Sequence, residues 1–236
     1  SARASVTFPL IVLGRLIALA VGLPLGCAAV LARNVRLRGV FHAAAIVAGA
    51  IPALWGGLLL ILLFSKGIGL MGLLPSQGFP DAGWAAPLSA MAALVLPALA
   101  TGITAGASIM RYTRAAVGDM ASSQAVAMAM ACGMTRTQAV LRVAFRLAHP
   151  QLVSVTGLHF APMGTGGMGV ESLFALPGLG SMLVTDVGNR DLTAVQSELF
   201  LLAAFFLFLG LLVDLLHRML DPRLKNATIG SGGVLA

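Results

Sequence analysis

Long uncharged apolar runs separated by short arginine clusters dominate the chain. Residues 39–65 form one such run of 27, residues 82–110 one of 29 and residues 147–170 one of 24. A helix needs about 20 mostly apolar residues to cross roughly 30 Å of hydrocarbon, so each run is long enough to span a bilayer. Residues 16–32 add a run of 17, extended backwards through Phe8 to Gly14 if Arg15 is tolerated. A last run, 199–213, reaches about His217 with Glu198 and Asp214 near the two interfaces. The pattern predicts five spanning helices, at about 9–32, 41–64, 89–111, 150–170 and 197–218, in an all-α, polytopic membrane bundle. The whole chain, 1–236, then reads as one transmembrane domain, with a long link at 114–149 and another at 171–196 on the opposite side.

The charges orient these spans. Arg33, Arg36 and Arg38 lie between spans one and two; Arg111, Arg114, Arg136, Arg142 and Arg146 lie between three and four; Arg218, Arg223 and Lys225 follow span five. All of these fall on one side, whereas the other side carries Lys66 and Arg190 against Asp81, Glu171, Asp186, Asp191 and Glu198. Basic residues accumulate in cytoplasmic loops, so the arginine-rich side is expected in the cytoplasm, with the C-terminus inside and Ser1 outside. An external start with an odd number of spans suggests that a further helix precedes this chain.

Composition agrees with a bilayer environment. Only 10% of residues are charged, 58% are hydrophobic and the mean hydropathy is +0.96, whereas about a quarter of the residues of a soluble domain are charged. That excludes an ordinary soluble enzyme, a disordered protein and a disulfide scaffold. Cys27 lies in an apolar run and Cys132 in a cytoplasmic link, so they are not expected to pair, and no Cys/His cluster suggests a metal. The net charge of +7 comes without an aromatic-studded basic patch, which argues against nucleic acid. The sequence has no nucleophile elbow, no H-E-x-x-H and no phosphate-binding G-x-x-x-x-G-K-[ST]. Any ATP hydrolysis must therefore reside on another chain, and this one is not expected to be an enzyme.

Within the spans, Gly22-x-x-x-Gly26 and Gly102-x-x-x-Gly106 have the spacing that lets helix backbones approach closely, although 28 glycines make chance matches common. Pro24, Pro52 and Pro97 are each expected to kink a span. Arg15 is compatible with a path-lining role and with snorkelling to the outer interface. His159 lies mid-span, where it suits a hydrogen bond to a neighbouring helix or contact with substrate. Asp214 and Arg218 stand four apart, the spacing of an ion pair on a helix.

The link 114–149 is too regular for a plain connector. Gln124 to Cys132 is rich in Ala and Met, good helix formers, and Gly133 is a natural C-terminal stop. A second stretch, Arg136 to Ala148, sets Arg136, Arg142 and Arg146 among Val140, Leu141, Val143 and Phe145, and is expected to end at Pro150. Such a helix pair fits a groove on a partner or the lipid interface.

Ala129-x-x-x-Gly133 followed by the Arg142/Arg146 stretch resembles the cytoplasmic coupling loop of bacterial ABC-importer permeases. Val170-Glu171-Ser172-Leu173-Phe174-Ala175-Leu176-Pro177-Gly178-Leu179-Gly180 is similar to the "VETVFSLPGLG" stretch of dipeptide/oligopeptide permeases. Arg190-Asp191 with Val195-Gln196, and Leu211 to Leu216 with Leu220-Asp221-Pro222-Arg223, continue the likeness in order and spacing to a permease of the first-permease type. Upstream, Gly22-x-Pro24-Leu25-Gly26 and Ile51 to Trp55 resemble its "GIPLG" and "PSFW" segments. The chain departs from the wider superfamily in having Ala127-Met128-Ala129 where relatives have Glu-Ala-Ala.

The resemblance implies a type I importer transmembrane domain with six spans in the full protein, in the bacterial inner membrane. It implies a second homologous permease subunit, two ATPase subunits (or one two-domain ATPase) that hold ATP and Mg, and an extracytoplasmic solute-binding protein. The substrate would be a di- or oligopeptide, with nickel, glutathione or another small solute as alternatives, and a self-sufficient channel as the reading from a different class. No cofactor is expected on this chain. The ATPase-docking helix implied is Gln124, Ala125, Val126, Ala127, Met128, Ala129, Met130, Ala131, Cys132, Gly133 and Met134. Glu171, Pro177, Gly178, Leu179, Gly180, Arg190 and Asp191 belong either to an ordinary loop or to a contact with the solute-binding protein.

Overall fold

The computed structural model describes residues 3–67, 69–158 and 160–220. Among them three helices are long and apolar enough to cross a membrane: α1 (Ala4–Leu31), α4 (Pro87–Ala121) and α10 (Leu192–Leu220, apolar through Leu212). Between α1 and α4 lie α2 (Val35–Ala50) and α3 (Ala53–Phe64), which meet at about 100°. The apolar stretch 41–64 is thus a bent pair rather than one helix. Pro52 explains the bend: it lacks the N–H that would continue the ladder, and it drives Ile51 out of the helical region to ψ 119°. Pro24 and Pro97, by contrast, sit within the unbroken helices α1 and α4.

Other boundaries also move. Helix α4 does not stop where its uncharged run does; it continues through Arg111 and Arg114 to Ala121, so the first part of the 114–149 link is helix. After α5 (Gln124–Ala131) come α6 (Arg136–Ala139), one wide π turn over Val140–Ala144, and α7 (Phe145–Leu158). The expected stop at Pro150 does not occur, because Pro150 lies inside α7. The apolar run at 147–170 is shared by α7 and α8 (Phe160–Leu173), each of 14 residues. Segment 171–196 is largely helical too, holding the end of α8, the short α9 (Leu179–Gly188) and the start of α10.

Helices α1 and α4 form the spine, and the two glycine motifs face each other across it. A Cβ on Gly22 would fall 2.7 Å from the Gly106 carbonyl oxygen, and one on Gly102 would fall 2.9 Å from the Gly14 carbonyl oxygen. The backbones approach so closely that no side chain fits, as small residues allow in lipid. Larger apolar groups pack at the two ends of this seam. Leu10, Leu94, Leu96, Val170, Phe174 and Leu176 fill one end, and Phe8 stacks on Phe205 of α10 at 4.0 Å. Cys27, Val117, Val126, Val140, Ala144 and Leu152 fill the other.

Candidate functional site

The second of these clusters fixes the segment after α4. Val126 of α5 is buried with Val117 of α4 and with Val140 and Ala144 of the π turn, and Ala129, one turn on, packs against the same cluster. The opposite face of α5 is open: Met128 is 71% exposed, and Gln124, Ala125, Ala127, Met130 and Ala131 are also exposed. Gly133 ends the helix at φ +95°, a left-handed conformation that glycine adopts without a Cβ penalty. Its N–H donates to the Met130 carbonyl at 3.0 Å, while the Met134 N–H reaches back to the Ala129 carbonyl at 3.1 Å. This pair of bonds is the Schellman motif. The exposed Cys132 and Met134 frame the turn, and Cys132 is a free thiol.

The chain turns directly into a second helix. The Thr135 hydroxyl accepts the Gln138 N–H at 3.3 Å, and the Gln138 side chain accepts the Thr135 N–H at 3.2 Å. This reciprocal box satisfies two donors at a helix start. A short Met-faced helix is therefore stopped at Gly133 and packed on one side, with its opposite face exposed.

At the other end of the spine, the turn Pro177–Gly180 is clamped from inside. Glu171 is 1% exposed, and its Oε2 accepts the Gly180 N–H at 2.8 Å and the Ser181 N–H at 3.3 Å. A carboxylate there meets the positive end of α9. The Thr7 hydroxyl of α1 accepts the Leu179 N–H at 2.9 Å, tying the same turn to the spine. Burial pushes the Glu171 carboxyl above its ordinary value, and the bonds from Thr7, Gly180 and Ser181 act the other way.

Of the residues expected to contact a solute-binding protein, Glu171, Gly178, Leu179 and Gly180 are buried and present no surface to a partner. A Cβ on Gly180 would fall 2.5 Å from the Met168 Cα, so that glycine serves close packing. Pro177, Arg190 and Asp191 remain exposed. Arg190 takes φ 58° after α9, and Asp191 Oδ1 accepts the Ala194 N–H at 3.1 Å to start α10. Thr7 was missed in the sequence because its partner lies on the far side of the chain; a hydroxyl in an apolar run was the only signal.

Arg15 is 5% exposed, and its guanidinium donates to the Thr156 carbonyl of α7. That bond ties α1 to α7. His159 and the tail from Asp221 onward lie outside the described residues, as do the side chains of Asp214 and Arg218.

The sequence model of the family described as "Binding-protein-dependent transport system inner membrane component" matches residues 20–226. The chain is 29% identical to the dipeptide transport system permease protein DppB of Escherichia coli K12 over 243 residues, covering 95% of this chain and 72% of that protein. It is also 29% identical to DppB of Haemophilus influenzae, covering 87% of this chain and 66% of that protein. Among solved structures, an inward-facing form of the MetNI methionine ABC transporter superposes with a TM-score of 0.74 at 18% identity. That superposition covers 92% of this chain and 93% of the MetNI chain.

Proposed function

Because the chain belongs to the family of inner-membrane components of binding-protein-dependent transport systems, and is a multi-pass permease subunit of an ABC importer, we propose that it carries di- or oligopeptides. It does so with a second, homologous permease subunit, the two enclosing the path between them. A solute-binding protein delivers peptide outside, and two ATPase subunits, which hold the ATP and Mg, work from the cytoplasm. The chain itself performs no chemistry. The arginine-rich links and the C-terminus face the cytoplasm.

The observation that carries the coupling role is α5. Its Met128 and Met130 face outward while Val126 and Ala129 on the opposite side pack into the bundle, and Met-rich faces are adaptable contact surfaces. Val126 joins α5 to α4 and to the π turn, so a displacement of α5 by a closing ATPase is carried into the α1/α4 spine rather than absorbed locally. The wide π turn, a form often found at functional positions, lies at the point where that motion enters α7. Alternating access then follows from tilting one packed unit against its homologous partner.

The docking reading is tested with Gly133→Pro. Proline fixes φ near −65° and removes the N–H that donates to Met130, so the turn cannot form. The ATPases are expected to be lost from the purified complex while the second permease subunit is retained. Undiminished ATPase recovery contradicts the assignment.

A further inference from the structure

An open cleft of about 610 Å³ lies beside the segment that joins α5 to the spine, between α2, α4 and the start of α6. Arg38 and His42 reach it from α2, Arg111, Arg114 and Asp119 from α4, and Arg136 from α6. The spacing explains the convergence on each helix: Arg38 and His42 are four apart, and Arg111 and Arg114 three apart, so each pair shares a face. Among the described residues, four guanidinium groups thus line one cleft with Asp119 as the single carboxylate on its wall.

The hydrogen bonds of these groups run to a ring nitrogen, a carbonyl and a hydroxyl, none of them a carboxylate. Arg114 donates to His42 Nδ1 at 2.9 Å. Arg38 donates to the Ala32 carbonyl and Arg111 to the Ser108 hydroxyl, each at 3.3 Å. None of these bonds cancels the positive charge, and each guanidinium keeps further donors for a ligand. Gly49 of α2 leaves space beside the Arg111 guanidinium, which lies 3.6 Å from where a Cβ would sit.

The walls are not uniformly polar. Ala29 and Val30 from the end of α1 form an apolar side of the same cleft. Arg111 is the first charged residue after the 29-residue uncharged run, the place on α4 where headgroup depth is expected. We propose that this cleft binds a phosphate-bearing anion, and specifically the phosphodiester headgroup of an anionic lipid, its glycerol and acyl origin lying along Ala29 and Val30. Guanidinium forks match phosphate oxygens in pairs, and basic pockets between helices on the cytoplasmic side suit anionic headgroups. The cytoplasmic placement rests on the orientation proposed above. Lipid held there would brace α2 against α4 and α6, next to the segment that meets the ATPases.

The test uses the full importer complex in nanodiscs of equal parts phosphatidylglycerol and phosphatidylcholine, with retained lipid counted by native mass spectrometry. The wild-type complex is expected to retain phosphatidylglycerol preferentially, and Arg111→Gln/Arg114→Gln to retain roughly thirtyfold less, given about 1 kcal/mol for each of the two basic side chains. Arg111→Lys/Arg114→Lys keeps the charge and is expected to keep most of the lipid, which separates lost binding from lost folding. Equal retention of the two lipids by wild type, or undiminished retention by the glutamine variant, overturns the proposal.

Inorganic phosphate added in pure phosphatidylcholine discs distinguishes the source. A phosphate-dependent rise in unfolding temperature that the glutamine variant lacks assigns the site to a free anion and overturns the lipid part. Loss of the ATPases from the glutamine variant with full lipid retention overturns the proposal and gives the cleft to a protein partner. Orientation is read separately, by labelling Asn34→Cys in a Cys132→Ser background with an impermeant maleimide from either side of the membrane. Labelling from outside alone refutes the orientation and leaves the lipid counts to judge the cleft.

Discussion

Gly133 and Glu171 each hold a turn, by opposite means. At Gly133 the backbone sits at φ +95°, and any side chain there meets the left-handed penalty of about 1–2 kcal/mol. Gly133→Ala is therefore expected to loosen the end of α5 and raise protease cleavage after Ala131, while Gly133→Asn, which tolerates this conformation better, does so less. Glu171 works through hydrogen bonds. Glu171→Ala leaves the Gly180 and Ser181 N–H groups without their acceptor, at a cost of about 1–3 kcal/mol.

The pH dependence of Glu171 follows from its raised carboxyl. The folded chain binds that proton more tightly than the unfolded chain, so this carboxyl's contribution to stability falls as pH rises from the ordinary carboxylate value through the raised one. Glu171→Gln is expected to flatten the profile of unfolding temperature in mildly acidic buffer. An unchanged slope would remove Glu171 as its source. The glycine stop was readable from sequence because it is a local matter of backbone sterics. The burial of Glu171 was not, since it depends on Thr7 and Leu179 meeting across most of the chain.

At the scale of elements, the seam between α1 and α4 is the part most fully written in the sequence. The two G-x-x-x-G motifs were ambiguous one at a time, and their pairing removes the ambiguity. Gly106→Leu is expected to force the helices apart and cost about 1–3 kcal/mol or more, lowering the unfolding temperature in detergent. Gly39→Leu serves as a control, because nothing lies within 4 Å of its would-be Cβ. Comparable losses from both variants would deny the close packing.

Helix ends were less legible for a physical reason: charge marks where the chain leaves lipid, not where its hydrogen-bond ladder stops. Helix α4 therefore outruns its apolar stretch by reaching Ala121, and α7 starts before Pro150. Pro52 shows the converse, an interruption inside an apolar run. The arginine cleft was half legible, since the pairs show in the spacing and their convergence does not.

For the whole molecule, the low charge content and the family match identify the chain as the membrane-embedded part of a larger machine, and the one-sided distribution of arginine supports the orientation proposed for it. Val126 packs α5 against the spine, which is the route the proposed coupling would use. The most direct test is uptake of labelled di- and oligopeptides into vesicles holding this subunit with its second permease subunit and ATPases, the solute-binding protein supplied on the delivery side. The account predicts accumulation that requires ATP and every partner, and that Gly133→Pro abolishes. Uptake by this chain alone, or uptake indifferent to ATP, would contradict it.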